Sequence, residues 1–273
     1  MKVTVLIENT APEGLTAEWG LSLFIEFQNK KYLLDAGSSA AFAENAKALG
    51  IALEDVDAAV LSHAHFDHSG GLDTFCAVNH LAPVYIRKEA AENCYSWHRR
   101  LPKYIGVQKG VLNRHKDRFV RVDGDAVIDV GVTLVPHRAQ DLKARGKAAQ
   151  MYIRKGFWLV PDEFRHEQSL VFESDGGLVI FNSCSHSGVD SILDEVGQAF
   201  PGKPIRAMVG GFHLVRTPPR EVHLLAQRLK KLGVPELYTG HCTGEPALEI
   251  LEAELPGHVH RMETGMQFEI EGI

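Results

Sequence analysis

A short segment of this 273-residue chain, SHAHFDHSGG at residues 62–71, carries side chains whose types and spacing suit metal binding. Its first two histidines are two positions apart, so in an extended chain they project to one side and can hold one metal ion together. An aspartate and a third histidine follow on a turn that the small Gly70 and Gly71 permit. Imidazole and carboxylate groups are zinc ligands, and this pattern has no packing purpose. The segment therefore predicts a metal site whose ligands are His63, His65, Asp67 and His68.

Further candidate residues stand where predicted apolar strands end. The runs YLLD, AAVLSH, LVIFNSC, AMVGGFH and LYTGH each close with a residue able to bind metal or transfer a proton. Sites in α/β proteins form beyond the carboxyl ends of strands, so we expect these endings to share one cleft. The residues are Asp35, His63, Cys184 with His186 just beyond it, His213 and His241.

The elements that position these residues alternate between strands of period-two hydrophobicity and amphipathic helices. This alternation predicts one α/β domain over residues 1–273, a layered sandwich of β-meander and βα units. The basic, aromatic and irregular stretch 95–118 predicts an insertion or lid. Strands are predicted at 3–9, 21–27, 31–34, 57–61 and 83–87, within 119–135, as a hairpin at 168–182, and at 205–209, 236–239 and about 266–271. Helices are predicted at 40–49, from about 88, and at 189–199, 219–232 and 245–254.

The composition is that of an ordinary globular protein, with 45% apolar and 23% charged residues. With 29 basic and 35 acidic residues the chain has a net charge of −6 and no basic run, so we expect no nucleic-acid partner. No apolar run is long enough to span a membrane. The start, MKVTVLIENT, resembles a first strand and not a signal peptide, so we expect a cytoplasmic protein whose four cysteines are thiols or ligands. Three of these cysteines are expected to be small packing residues: Cys76, Cys94 and Cys242.

Five stretches together resemble a known family: LLDAG at 33–37, SHAHFDHSGGL at 62–72, NSCSHSG at 182–188, GGFHL at 210–214 and TGHCTG at 239–244. The family is the metallo-β-lactamase superfamily. The last three stretches are similar to one branch of it, the metal-dependent hydrolases that resemble the dihydropterin–ribofuranosylaminobenzene phosphate synthase. The resemblance extends over residues 21–244. It implies an αββα sandwich of two mixed sheets flanked by helices, with one or two divalent metal ions, zinc in the first place and manganese or iron as alternatives.

The resemblance also implies roles for individual residues. Asp35 would orient the turn that carries the ligands. The chain departs from the family where Cys184 replaces the usual bridging Asp, and where the usual Gly-His-Thr motif is missing. A thiolate at Cys184 would suit zinc, and His186 is the natural third ligand of the first metal, with His166 or Glu167 as weaker candidates. The first metal would be held by His63 and His65, and the second by Asp67, His68 and His241.

Other residues are candidates for substrate contact. Free N–H groups at the starts of predicted helices suit an anionic group, or the residues there are simply helix caps. His213 follows two glycines that permit close approach of the backbone to a ligand, and its imidazole could donate a proton. The helix-start candidates are Ser185, Ser187 and Thr243. One group of basic and aromatic residues could clamp a phosphate or stack on a ring, or it could simply form a solvated loop. Its members are Arg99, Arg100 and Lys103 among Tyr95, Trp97 and Tyr104.

The activity implied by the resemblance is metal-assisted hydrolysis of a phosphate ester, phosphodiester or similar bond, with Asp67 and His213 as catalytic residues. A second hypothesis is a transferase that joins a dihydropterin methyl diphosphate to a ribofuranosylaminobenzene phosphate and releases diphosphate. A third is a non-catalytic metal or ligand sensor on the same fold. In each case the expected partner is a small, anionic molecule.

Overall fold

A computed structural model describes residues 1–98 and 101–273. The strands are β1 Lys2–Ile7, β2 Ser22–Phe27, β3 Lys30–Leu34, β4 Ala58–Val60, β5 Val84–Arg87, β6 Cys94–His98, β7 Leu101–Tyr104, β8 Phe119–Val122, β9 Ala126–Asp129, β10 Val132–Pro136, β11 Met151–Lys155, β12 Trp158–Pro161, β13 Gln168–Ser174, β14 Gly177–Phe181, β15 Ile205–Val209, β16 Glu236–Thr239, β17 Val259–Arg261 and β18 Gln267–Glu269. The helices are α1 Ala41–Ala48, α2 Phe66–Ser69, α3 Leu72–Val78, α4 Val111–Arg114, α5 Leu142–Ala148, α6 Val189–Ala199, α7 Pro219–Leu232 and α8 Glu245–Glu254.

Two seven-stranded mixed sheets repeat the same pattern of strand directions. The first has the order β18-β1-β2-β3-β4-β5-β8, and the second the order β9-β10-β13-β14-β15-β16-β17. In each sheet the first four strands pair antiparallel and the remaining pairings are parallel. Parallel strands place their carboxyl ends at one edge, so β3 and β4 in one sheet, and β14 to β16 in the other, can deliver loops to a common site.

The two sheets pack face to face over an apolar core, with helices on their outer faces. The ring of Phe172 in the second sheet contacts Phe27 and Tyr32 in the first, with centroids 5.0 and 5.2 Å apart. A second cluster fills the space between the first sheet and helices α1 and α3, and a third lies between the second sheet and helices α6 to α8. This is the predicted αββα sandwich.

Several predicted elements of the second half are confirmed with the predicted bounds: the helices 189–199, 219–232 and 245–254 and the strands 205–209 and 236–239. These elements have the strongest apolar periodicity, because each packs one face on a core. Several short elements went unrecognised, among them the partly exposed helix α5 and the strands β11 and β12.

The predicted helix from residue 88 is wrong, and the stretch 95–118 is more regular than predicted. Residues 88–93 form a turn in which the Glu92 carboxylate accepts hydrogen bonds from the backbone of Gly110 and Leu112, at 2.7 and 3.1 Å. These tertiary bonds outweigh the local helix propensity of Glu and Ala. The chain then enters β6 and β7, which join β11 and β12 in a third, four-stranded sheet. In the described residues no helix is long and apolar enough to cross a membrane.

Candidate metal centre

The loops that follow five parallel strands converge at one edge of the sandwich, as the strand-end pattern predicts. Asp35 follows β3, and His63 and His65 follow β4. From the second sheet, Cys184 and His186 follow β14, while His213 and His241 follow β15 and β16. The side chains of all these residues except His213 are buried.

Three imidazoles form the first cluster. One ring nitrogen from each of His63, His65 and His186 lies within 4.8 Å of the other two. The ring centroids of His63 and His65 are 4.6 Å apart, and that of His186 is 5.0 and 4.9 Å from them. The structure therefore brings His63 and His65 together with His186, the residue that the sequence analysis names as the natural third ligand of the first metal.

A second cluster lies against the first. Cys184 Sγ is 3.2 Å from His68 Nε2, and both lie within 4.8 Å of a ring nitrogen of His63. Asp67 Oδ2 is 3.9 Å from His68 Nε2 and 3.6 Å from His241 Nε2. The predicted second set of ligands is thus brought together, with Cys184 between the two clusters.

Hydrogen bonds on the far side of the His63 and His68 rings determine which ring nitrogen carries the proton. Ser62 donates its hydroxyl proton to Asp35 Oδ2 at 2.6 Å, so its oxygen must accept from His63 Nδ1 at 2.8 Å. The same carboxylate oxygen accepts from His68 Nδ1 at 2.8 Å. His63 therefore presents a bare Nε2 to the centre, the form that binds metal, and the neutral form of His68 does the same. Asp35 lies behind the ligand turn, where it was expected.

His241 is held from behind by Glu8 and Asn9, the two residues that directly follow β1. Its Nδ1 donates to Asn9 Oδ1 at 3.2 Å, and Asn9 Nδ2 donates to the carbonyl of His241 at 3.0 Å. The backbone N–H of His241 donates to the buried carboxylate of Glu8. Sequence reasoning missed Glu8 and Asn9, although the strand-end pattern, applied to β1, would have found them.

Burial keeps most of these imidazoles neutral. It lowers the pKa of His65 and of His241 to about 3, and it lowers those of His63 and His186 well below the usual 6.5. His68 differs: burial opposes its protonation, but the carboxylates of Asp67 and Asp35 raise its pKa. Neutral imidazole is the ligand form, so the four lowered pKa values favour metal binding at neutral pH.

Strained backbone marks the same loops. Asp35, Ser185, His213 and His241 all have positive φ, between 48° and 60°. This left-handed region is uncommon for residues other than glycine and persists where surrounding contacts enforce it, most often at functional sites. The strand ends are therefore held in the conformation that directs their side chains into the centre.

Three comparisons identify the family. The model of the metallo-beta-lactamase superfamily matches residues 20–198, more than half of the chain. The chain belongs to the metallo-β-lactamase superfamily. It is 27% identical over 269 residues to the 7,8-dihydropterin-6-methyl-4-(beta-D-ribofuranosyl)-aminobenzene-5'-phosphate synthase of Methanocaldococcus jannaschii, covering 91% of this chain and 89% of that protein. It also matches the crystal structure of Tm1679, described as a metal-dependent hydrolase of the beta-lactamase superfamily, with 29% identity, 99% coverage of both chains and a TM-score of 0.84.

Membership of the metallo-β-lactamase superfamily implies divalent metal binding, and the residues present fit a metal. The Nε2 atoms of His63, His65, His186 and His241 are buried and have no hydrogen-bond partner among the described residues. Leaving one such group unpaired costs about 1–3 kcal/mol. Unpaired nitrogens in two adjoining clusters are explained by a divalent cation that accepts their lone pairs, since imidazole and thiolate groups are ligands of such ions.

A cavity of about 750 Å³ opens onto the centre. Site residues Asp67, Cys184 and His213 line it, and so do Trp19 and Arg216. The indole of Trp19, which sequence reasoning missed, donates to Asp67 Oδ2 at 2.9 Å. Apolar side chains form much of the remaining wall: Phe66, Ile105, Met151, Phe164, Phe212, Leu214, Leu224 and Leu225.

The predicted substrate-binding residues divide into two groups. Ser185 lines the cavity, and its hydroxyl has no partner among the described residues. Ser187 and Thr243 do not line it: their hydroxyls bond Glu167 at 2.9 Å and Thr239 at 2.7 Å. These contacts favour a structural role for Ser187 and Thr243 over the predicted contact with substrate.

The described residues of the predicted basic clamp are not part of the cavity wall. Arg99 and Arg100 lie outside the described residues, and Tyr95, Trp97, Lys103 and Tyr104 do not line the cavity. Tyr95 and Tyr104 instead stack with Arg154 and Lys109. The arginines that do reach the cavity are Arg145, Arg216 and Arg228.

Two other expectations need correction. Gly70 and Gly71 have negative φ, −64° and −87°, so no special turn requires them. They are needed because a Cβ would lie 2.0 and 2.3 Å from carbonyl oxygens of the loop after β3. Cys94 and Cys242, expected to be packing residues, lie within 4.8 Å of potential ligand atoms of His166 and Cys184 respectively.

Proposed function

We propose that this chain is a metal-dependent hydrolase with one or two zinc ions, acting on a phosphate ester, a phosphodiester or a related ester of a small anionic molecule. The observation that carries the proposal is the cluster of three buried, neutral imidazoles with unpartnered Nε2 atoms, two of which, His65 and His186, line the cavity. A cavity of about 750 Å³ has the size typical of small-molecule sites. The similarity to Tm1679, described as a hydrolase, supports the reaction class.

The residues of the centre would have separate roles in metal binding and proton transfer. A divalent metal held there would supply Lewis acidity and lower the pKa of a water molecule toward 7. Asp67, whose carboxylate is fixed by the Trp19 indole, faces the cavity and would orient that water and hold its proton. The first metal would be held by His63, His65 and His186, and the second by Asp67, His68, Cys184 and His241.

His213 is the proposed proton donor to the leaving oxygen. Its ring centroid is 4.3 Å from that of His186, and its Nδ1 is buried without a partner among the described residues. It also lines the cavity, so it is within reach of a substrate bound over the centre. Protonation of a leaving oxygen by a positioned imidazole contributes about 10²–10⁴-fold to such reactions.

The arginines of the cavity support an anionic substrate. Arg145 and Arg228 are already paired, with Asp141 at 2.9 Å and Asp190 at 2.6 Å. Arg216 forms no ion pair with a described residue and lines the cavity. It therefore offers a positive charge to a phosphate or carboxylate group. With a net charge of −6, the whole chain is unsuited to a nucleic-acid backbone, which favours a small molecule.

Metal analysis and a substrate panel test the proposal. The purified protein should contain one or two zinc ions per chain and hydrolyse bis(4-nitrophenyl) phosphate or a related ester, with activity lost to a chelator and restored by zinc. His65→Ala should lose the first metal and the activity. His223→Ala, at an exposed histidine paired with Glu254, is the matched control and should keep both. A metal-free protein that hydrolyses the same esters would contradict the proposal.

The second candidate function is the transferase, which the M. jannaschii synthase favours through 27% identity over 91% of this chain. A transferase should release diphosphate when a dihydropterin methyl diphosphate and a ribofuranosylaminobenzene phosphate are supplied together, and should leave simple phosphodiesters intact. Full metal content without turnover of either substrate class would favour a sensor.

A further inference from the structure

Residues 162–168, which follow β12 and end on the first residue of β13, touch both loops that supply ligands to the first cluster. We propose that this bridging segment sets the geometry of the first metal centre, with His166 and Glu167 as positioning residues that hold the backbone of the ligand loops. The inference rests on the proposed metal centre. The sequence suggests both residues as weaker candidates for the third metal ligand, whereas here they position the ligand loops and do not bind the metal.

His166 holds the loop that carries His63 and His65. Its Nδ1 accepts a hydrogen bond of 3.2 Å from the backbone N–H of Ala64, the residue between the two ligands. An Nδ1 that accepts carries no proton, so Nε2 carries it and donates to Asp162 Oδ2 at 3.0 Å. Asp162 is itself buried and also accepts from the backbone N–H of Phe164 at 2.7 Å.

Glu167 holds the other loop. One oxygen of its buried carboxylate accepts from the backbone N–H of His186 at 2.9 Å. The other accepts from the backbone and the hydroxyl of Ser187, at 3.1 and 2.9 Å. Three donors converge on one carboxylate, and hydrogen bonds to a charged group are stronger than neutral ones. The position of the third ligand is therefore set by the residue next to His166.

Two further contacts tie the bridging segment to the same loops. The ring of Phe164 lies flat against that of His186, with centroids 4.5 Å apart and an interplanar angle of 3°. The backbone N–H of Gln168 donates to the carbonyl of Ser62 at 2.9 Å. The segment therefore joins a ligand loop of the first sheet to one of the second sheet, across the seam that the first centre spans.

The hydrogen bonds also argue against His166 as a ligand. A potential ligand atom of His166 lies within 4.8 Å of His65, Cys94 and Asp162, so distance alone permits a metal among these four. Both ring nitrogens of His166 are already committed, one as acceptor from a backbone N–H and one as donor to a carboxylate. A neutral imidazole has only one lone pair, and here the backbone uses it.

Matched variants of the full-length protein test the inference through metal affinity and the cobalt spectrum, not through activity. His166→Ala and Glu167→Gln should lower first-site affinity about 10–100-fold, the usual effect of losing an outer hydrogen-bond partner of a metal ligand. His166→Asn, whose amide oxygen can still accept from Ala64, should recover part of the loss. Glu163→Gln, in the same segment but paired with Arg165 at the surface, should behave as wild type.

The possible outcomes separate the inference from the proposal on which it depends. Wild-type protein that binds no metal would overturn both. Wild-type metal affinity and an unchanged cobalt absorption spectrum in His166→Ala and Glu167→Gln would overturn the inference alone. If His166→Asn loses first-site metal as completely as His65→Ala, His166 is a ligand and the inference is wrong. Equal melting temperatures of the metal-free variants would show that a loss of affinity is not a loss of fold.

Discussion

Asp35→Asn is expected to weaken both parts of the metal centre, although it replaces one buried oxygen by nitrogen. The substitution is conservative for the backbone, because Asn tolerates the φ of 60° at this position as well as Asp does. The wild-type carboxylate accepts three hydrogen bonds: from Ser62 N at 2.7 Å, from Ser62 Oγ at 2.6 Å and from His68 Nδ1 at 2.8 Å. An Asn side chain has one acceptor oxygen and one NH₂ group that can only donate. The effect therefore depends on which of the three donors can still bind an acceptor at this position.

Only one orientation of the amide avoids two donors facing each other at the backbone. Its oxygen must accept from the N–H of Ser62, which cannot reverse its role, so its NH₂ group faces Ser62 Oγ and His68 Nδ1. His68 must then accept at Nδ1 and carry its proton on Nε2, the atom that faces Cys184. The hydroxyl of Ser62 must also turn and donate to His63 Nδ1, which leaves His63 with a proton on Nε2.

One substitution thus places a proton on a ligand atom in each cluster. A hydrogen bond to a charged group contributes about 1.5–3 kcal/mol, and each 1.4 kcal/mol is a factor of ten. Before either ring can bind metal, it must return to the tautomer with a bare Nε2. That change breaks one hydrogen bond of the rearranged network. We therefore expect each metal affinity to fall about 10–100-fold, in line with other outer-partner substitutions.

The assay is zinc content per chain after dialysis against a series of zinc buffers, with unfolding of the metal-free protein as a control for the fold. Asp57→Asn is the matched control, because Asp57 also accepts a backbone hydrogen bond, from Lys31 at 2.8 Å, but lies at the surface. If Asp35→Asn keeps both metals at wild-type affinity, the tautomer argument is refuted. If only the affinity for the second metal falls, the Ser62 hydroxyl does not pass the change in hydrogen bonding on to His63.

Three further predictions concern single residues of the centre. Burial lowers the pKa of His65 to about 3, whereas the unfolded chain titrates near 6.5, so unfolded protein binds the proton first and the free energy of unfolding of the metal-free protein should fall as pH decreases between these values. His65→Gln should reduce that slope by about 1.4 kcal/mol per pH unit, and an unchanged slope in urea titrations would contradict the assignment. Cobalt-loaded protein should show a thiolate charge-transfer band that Cys184→Ser removes and Cys242→Ser retains; the opposite pattern would make Cys242 the ligand. His213→Ala should keep its metal and lower turnover about 10²–10⁴-fold, with a smaller loss for substrates whose leaving groups are acidic; loss of metal would make His213 a ligand.

The sandwich and the place of its site could be predicted because both depend on local patterns. Apolar periodicity over ten or more residues identified α6, α7 and α8, and alternation identified most strands of the two large sheets. The rule that sites form at carboxyl ends of strands located the cleft from the residues that close each apolar run. Where periodicity is weak, as in 88–118 and 142–161, the predictions were wrong or missing.

By itself the sequence determined which kinds of ligand are available and on which strand ends they stand, since residue type and short spacing are properties of the chain alone. The tertiary structure decided which ring nitrogens are left without a partner, that the ring of His186 lies with those of His63 and His65, and which residues hold these loops from behind. Glu8 contacts His241 across 233 positions, and His166 contacts Ala64 across 102. No periodicity or motif encodes such pairs, because they exist only after two sheets have packed together and brought their strand ends to one edge.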